Sequence, residues 1–171
     1  EIKKKIRSYK IKITGCDINH SGHKYVAIDK KTIVTGFNAI EGLGQAAFAA
    51  IVANQPYTSF PDFINRTPSC VNKGVVISLA KAGAFDLFGH SRRYLTSIFE
   101  DEKQAKKFRA NVAKLAKKAE EATEPPDWSD FVWPELPTEE WDLKTKLLAE
   151  AEVLGEFVSG GIQDVYPGFF R

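Results

Sequence analysis

The sequence predicts a mostly α-helical protein with a small β element near its N-terminal end. Apolar residues recur at helical spacing through residues 36–121, and the helix-capping residues Ser59, Asn72 and Ser91 precede three of these stretches. Strand-like alternation occurs within the first 35 residues. The 43% apolar and 12% aromatic content of the 171 residues is sufficient for a buried core, which excludes a wholly disordered chain.

Residues 1–35 predict the end of a helix followed by short strands. Ile2 and Ile6 are four residues apart in the basic stretch 1–8, as in the last turns of a helix. Three strands are predicted, at residues 9–14, 24–28 and 32–35. We expect them to pair as a small antiparallel sheet.

Residues 36–121 predict two tandem helical hairpins and a long helix. A short helix begins at Phe37, and the Gly42-Leu43-Gly44 turn separates it from a helix over residues 45–54. The further helices are predicted at residues 61–65, 73–82 and 92–121, the last with a break near Asp101.

The Gly42-Leu43-Gly44 turn is the motif most typical of a binding site. Its glycines allow a sharp backbone turn close to a ligand, and unpaired N–H groups at the start of the next helix, from Gln45 onward, point outward at its positive end. Such a site suits a backbone phosphate and reads no bases. The alternative is that the turn only links two core helices.

The second hairpin turns at Gly83 and is predicted to pack against the first. Basic residues lie near both turns in the sequence, and they add to a DNA-binding surface or form a solvated face: Lys30, Lys31, Lys73, Lys81, Arg92 and Arg93.

Residues 122–137 predict an extended acidic linker, because they hold four of the eight prolines and two of the three tryptophans. Trp128, Phe131 and Trp133 either bind a partner or fasten the linker to the domain. Thr138 is predicted to cap a final helix over residues 139–158 within the last region, 138–171, and Gly160-Gly161 to close it.

Charge divides the chain into two parts. Residues 1–118 hold 21 basic and 9 acidic side chains, whereas residues 119–171 hold 3 basic and 13 acidic ones, so the formal net charge of +2 conceals +12 and −10. This asymmetry indicates a nucleic-acid or other acidic partner for the first part. We expect the second part to face away from DNA.

Other classes of protein are disfavoured by the sequence. No apolar run approaches the roughly 18 residues of a membrane helix, and the N-terminal stretch lacks a secretory signal. Cys16, His20 and His23, with the distant Cys70, do not have the spacing of a standard zinc finger. No nucleophile motif, phosphate-binding Walker motif or acid–base pair is present, so we predict no catalytic residue and no metal site.

Five strings, in order, resemble the bacterial replicative DNA polymerase III α subunit, including phage-encoded forms. They are spread over most of the chain, from residue 16 to residue 160: residues 16–21 (C-D-I-N-H-S), 36–44 (G-F-N-A-I-E-G-L-G), 59–66 (S-F-P-D-F with Arg66), 72–93 (N-K…A-G-A-F-D…G…R-R) and 150–160 (E-A-E-V-L-G-E-F-V-S-G).

The resemblance implies the end of the fingers followed by tandem helix–hairpin–helix units that contact duplex DNA. In this family the catalytic palm and its Mg²⁺ lie upstream and an OB-fold follows, so we expect no cofactor in this segment and no polymerisation by it alone. The absence of Met from the sequence fits a piece of a longer nucleotidyltransferase. Its expected partners are double-stranded DNA, the rest of the polymerase chain and a sliding clamp. We expect no membrane association and a cytoplasmic location.

Two departures from the family bear on the expected partners, one at the DNA-binding turn and one in the linker. Glu41 stands where the family usually has Lys, so the first hairpin is expected to bind weakly. The linker has no Gln-led clamp-binding peptide, although Phe131 lies in the corresponding region. A standalone accessory protein that binds a clamp or polymerase partner through the acidic part is the alternative function.

Overall fold

A computed structural model describes residue 5 and residues 8–169 of the chain. The strands are β1 (Lys12–Thr14), β2 (Val26–Ala27) and β3 (Thr32–Val34). The helices are α1 (Gln45–Ala53), α2 (Phe60–Arg66), α3 (Lys73–Lys81), α4 (Arg92–Glu100), α5 (Glu102–Glu121), α6 (Leu143–Leu154) and α7 (Ile162–Val165). The mostly α fold with a small N-terminal β element is therefore confirmed. The helix predicted over residues 1–8 lies almost entirely outside the described residues.

The three strands form a mixed sheet in the order β1-β3-β2. β2 pairs antiparallel with β3, but β1 pairs parallel with it, with Ile13 opposite Ile33. The prediction of an all-antiparallel sheet is wrong for β1. The reason is that residues 15–25 carry the chain away from β1 before β2 forms, so that β3 returns beside β1 in the same direction.

Side-chain caps fix the helix starts in the middle of the chain. Ser59 accepts from the N–H of Asp62, Asn72 from Val75 and Ser91 from Tyr94, as the sequence predicts. The predicted break in the long helix is also present. Asp101 has extended backbone angles between α4 and α5 and accepts from the N–H of Gln104, so it caps α5.

The core is centred on a cluster of aromatic rings contributed by several helices. Phe60 of α2 is fully buried, and its ring lies 4.9 Å from that of Phe85 and 5.6 Å from that of Phe108. Phe63 and Phe99 are also fully buried in this cluster. These contacts hold α2, the second hairpin and α5 together.

The final helix is shorter than predicted. Asp142, not Thr138, caps α6 by accepting from the N–H of Thr145, and Gly155 ends it at φ 69°, before Gly160-Gly161. Residues 138–141 stay outside the helix because Glu140 is drawn to the start of α4, a long-range contact that local sequence does not reveal. Within the described residues, the linker at residues 122–137 contains a single short helical segment, the 3-10 helix Trp128–Asp130. No helix among the described residues is long and apolar enough to cross a membrane.

Candidate nucleic-acid interface

The first hairpin presents an open helix start. A single 3-10 turn, Phe37–Ala39, precedes it, and Gly42 adopts φ 82°, the left-handed conformation that favours glycine. Leu43 packs against the core, and the Glu41 N–H donates to the carbonyl of Val153 in α6. The turn is thus held in place from both sides.

Gly44 is the N-cap of α1 and offers no side chain to the helix start. It is exposed, and a Cβ placed there would meet no atom within 4 Å. The first intrahelical bond is donated by Phe48, so the amides of residues 45–47 have no intrahelical acceptor. By contrast, the other helices of eight or more residues are each capped by an Asn, Ser or Asp side chain. The start of α1 is therefore the one best able to hold an external anion.

The second hairpin differs because the N–H groups at the start of its following helix already have acceptors within the chain. Gly83 adopts φ 82° after α3, and a 3-10 turn, Asp86–Phe88, leads to α4. At the start of α4 the N–H groups of Arg92 and Arg93 donate to the two carboxylate oxygens of Glu140, at 2.9 and 3.2 Å. Together with the Ser91 cap, this contact satisfies the start of α4 from within the chain.

Arg92 is removed from the surface by two carboxylates. Its guanidinium pairs with Asp86 at 2.8 Å and with the fully buried Glu150 at 2.7 Å, and its side chain is 6% exposed. Bringing Arg92 to a phosphate would leave Glu150 buried without its partner, at a cost of several kcal/mol. In this arrangement the Arg92 guanidinium is held by carboxylates of the chain itself, so its predicted contact with DNA draws no support from the structure and stays a prediction.

Gly83 and the two predicted lysines of α3 are also engaged within the protein. Gly83 is buried against the Arg92 guanidinium, which leaves no space for a Cβ. Lys81 pairs with Glu152 of α6 at 2.8 Å and is 17% exposed. Lys73 pairs with Glu102 of α5, but its side chain is 51% exposed, so this pair is open to exchange with another anion.

Lys30 and Lys31 are exposed in the turn before β3, where the Asp29 carboxylate accepts from the N–H of Lys31. Arg93 is half-buried at the start of α4. These three basic residues remain predicted DNA contacts.

The aromatic residues of the linker fasten it to the domain. Phe131 is 7% exposed, with its ring 4.8 Å from that of Phe108. Trp133 lies 4.0 Å from the ring of His90, and Trp128 packs against the core. These contacts support the second of the two roles considered from the sequence, in which the three residues fasten the linker to the domain. Partner binding by these residues stays a prediction.

His90 makes the linker contact sensitive to acid. Burial lowers the pKa of its imidazole below the ordinary value of 6.5, so the folded protein favours the neutral form. The unfolded chain then binds more protons between the lowered pKa and 6.5, and stability is fully present above pH 6.5 and falls as the pH drops below it.

We therefore expect the melting temperature to fall as the pH drops below about 6.5, and His90→Phe to remove part of that fall. His90→Gln is the second variant, because it also removes the titrating imidazole but adds no ring, so it should reduce the fall in the same direction. Equal pH dependence in wild type and His90→Phe would contradict the assignment.

The cysteine and histidine residues considered for metal do not form a ligand set. Burial raises the pKa of the Cys16 thiol to about 12, which disfavours the thiolate that a metal requires, whereas Cys70 is exposed elsewhere. No group of three or more potential metal ligands occurs among the described residues.

Sequence reasoning missed Glu140 and the lysines of α5. Glu140 lies 48 residues from its partner Arg92, and no local pattern marks such a contact. The α5 lysines were detectable, since their helical spacing can be read directly from the sequence.

Comparison with known proteins agrees with this geometry. A family model described as the helix-hairpin-helix motif matches residues 10–95, which include both hairpin turns. The chain is 34% identical to DNA polymerase III subunit alpha of Treponema pallidum over 88% of the chain. It is 31% identical to the Xylella fastidiosa subunit and 32% identical to the Thermus aquaticus subunit, over 94% and 95% of the chain.

The chain spans only 13% to 14% of the length of these relatives. The similarity therefore concerns one segment of a much longer protein. The chain belongs to the helix-hairpin-helix family, and over most of its length it is similar to a segment of bacterial DNA polymerase III α subunits.

Proposed function

We propose that this chain is the duplex-positioning segment of a replicative DNA polymerase, and that it holds the DNA backbone at the first hairpin. The open start of α1, with Gly44 as a cap that has no side chain, is the observation that carries the proposal. Backbone N–H groups and the positive end of a helix together favour a phosphate.

The proposed binding is weak and independent of sequence. Main-chain donors contact phosphate oxygens and carry no information about bases. The exposed carboxylate of Glu41, next to Gly42, repels a phosphate at the same turn. Basic side chains at Lys30, Lys31 and Arg93 add attraction that salt screens.

The chemistry of nucleotide addition, with its Mg²⁺ ions, is proposed to belong to other parts of such a polymerase. The resemblance to the α subunit supports this division of roles. It also supports a contact with the rest of the polymerase chain and a cytoplasmic location. A sliding-clamp contact draws no support from Phe131 or Trp133, since both rings pack into the domain. No observation favours the standalone accessory protein as a second function.

Gly44→Asp tests the hairpin site without disturbing the fold. Position 44 has room for a side chain, and an Asp N-cap is at least as favourable for a helix as Gly. Its carboxylate would fill the anion site, so we expect duplex binding at low salt to weaken by about tenfold or more, while thermal stability is kept or raised. Fluorescence anisotropy with a labelled duplex and a melting curve measure the two effects.

Gly168→Asp is the matched control, because it adds the same charge at a position with open space that lies outside every helix among the described residues. We expect it to bind DNA almost as the wild type does. Equal affinities for wild type and Gly44→Asp across a salt titration would refute the hairpin site.

Glu41→Lys should strengthen duplex binding in the same assay. The change removes a repulsive carboxylate and adds a cation beside the open start of α1, so we expect affinity to rise by about tenfold at low salt and the salt dependence to steepen. Glu41→Gln is the control and should give a smaller gain with little change in slope. A Lys variant no tighter than wild type would mean that this turn does not face the DNA.

A further inference from the structure

Helix α5 carries a dense row of basic side chains that the hairpin site does not use. No Asp or Glu occurs between residues 103 and 119. Six lysines of this stretch are exposed, and we call them the lysine face: Lys103, Lys106, Lys107, Lys114, Lys117 and Lys118.

The six lysines lie on one side of the helix. At about 100° per residue, they fall within an arc of about 120°. The opposite side is buried in the core through Ala105, Phe108 and Val112. Arg109 lies outside the arc and donates to the carbonyl of Val71, at 3.1 Å, which helps to fix the rotation of the helix. The lysine face is therefore presented to solvent in a defined direction.

This arrangement costs helix stability. Lys103 and Lys107 are four residues apart, as are Lys114 and Lys118, and like charges at this spacing destabilise a helix by about 0.2–0.5 kcal/mol per pair. Of the six lysines, all of which the structure describes, only Lys106 and Lys117 have ion pairs. Their partners are Glu102 and Glu121, and both pairs are exposed, at 3.5 and 3.9 Å. Folding does not require such a face, so its cost points to a ligand.

The chemistry of the face fits a regular polyanion. Ala110 and Ala113 lie among the lysines, so no bulky apolar side chain is available to insert into a bilayer or to anchor a folded protein. From Lys103 to Lys118 the helix extends about 22 Å, which matches the rise of about six phosphates along one DNA strand.

We propose that the lysine face of α5 binds the phosphate backbone of duplex DNA, as a second surface beyond the hairpin contact proposed above. The lysine face supplies long-range attraction and several phosphate contacts, whereas the hairpin supplies a single phosphate contact at a fixed position. Most of the salt dependence of binding then comes from α5.

The test replaces the four lysines that have no ion pair: Lys103→Gln, Lys107→Gln, Lys114→Gln and Lys118→Gln in one variant. The control carries Arg at the same four positions and keeps the charge. Anisotropy with a mixed-sequence duplex of about 20 base pairs is measured over a range of salt. We expect the Gln variant to bind at least about tenfold more weakly at low salt and its log–log salt slope to be shallower by about 3 to 4. The Arg variant should retain wild-type affinity.

Melting curves complete the comparison. Because Gln removes like-charge repulsion, the Gln variant should be at least as stable as the wild type, so weaker binding would not reflect unfolding. An unchanged salt slope in a folded Gln variant overturns the proposal. So does loss of binding to phosphatidylserine vesicles with duplex affinity unchanged, which would assign the face to membranes.

Comparison with Gly44→Asp separates this proposal from the hairpin site. If only the Gln variant loses duplex affinity, the lysine face stands and the hairpin site fails. If only Gly44→Asp loses affinity, the hairpin site stands and the lysine face fails. No duplex binding by the wild type at low salt would overturn both.

Discussion

Replacing Glu150 with Ala is expected to lower the free energy of unfolding by about 3–5 kcal/mol. The Glu150 side chain is fully buried and accepts from the Arg92 guanidinium at 2.7 Å and from the N–H of Val158 at 2.7 Å and of Ser159 at 2.9 Å, as well as from the Ser159 hydroxyl. Its removal leaves the buried Arg92 guanidinium with Asp86 as its one remaining carboxylate partner, and leaves the N–H groups of Val158 and Ser159 without this acceptor.

The pH dependence of this contact has a definite sign. Burial alone would raise the pKa of Glu150, but the hydrogen bonds from Ser159, Val158 and Arg92 outweigh it and hold the pKa below the ordinary value of 4.5. The contact is therefore at full strength above about pH 4.5 and is lost as the pH falls through the lowered pKa.

Chemical denaturation near neutral pH measures the loss. Glu152→Ala is the matched control two residues away, because Glu152 is 63% exposed and pairs with Lys81 at the surface. We expect it to cost less than about 1 kcal/mol. If the two Ala variants were equally stable, the buried pair would not hold α6 to the second hairpin.

Phe60→Ala should have an effect of similar size, about 3–5 kcal/mol, because the lost ring leaves a cavity at the centre of the aromatic cluster. The ring of Phe60 lies 5.8 Å from that of Phe99 and 6.2 Å from that of Trp133. The variant should therefore loosen the linker as well as the core, and a red shift of tryptophan emission would report greater exposure of Trp133 to water.

Phe60→Leu and Phe157→Ala are the control variants for this prediction. Leu refills part of the cavity and should restore part of the stability, whereas Phe157 is 37% exposed and its loss should cost little. A Phe60→Ala protein with wild-type stability and emission would show that the cluster is not the core of the fold.

Features that depend on neighbouring residues were predictable from the sequence. Ser59, Asn72 and Ser91 cap helices with an acceptor three residues before its donor, so the pattern and the contact lie in the same short stretch. The break at Asp101 follows the same logic, since a capping side chain interrupts the apolar spacing.

Features that depend on distant residues were not predictable. The parallel pairing of Ile13 with Ile33 joins strands 20 residues apart, and alternation alone does not give strand direction. The sequence shows Arg92 as one more positive charge in a basic region. Its removal from the candidate interface depends on Glu150, which is 58 residues away.

Because the N-cap at Gly44 has no side chain, the amino-acid sequence of the hairpin site can vary widely without loss of the site. The donors at residues 45–47 are main-chain N–H groups, which every amino acid except proline supplies. Gln45 and Ala46 are exposed, so most substitutions there would preserve the donors and the fold alike. The site therefore depends on the absence of a side chain at positions 42 and 44, and no side chain takes part in recognition. A search for this function in distant sequences should therefore weigh those two glycines, and the absence of proline after them, above overall identity.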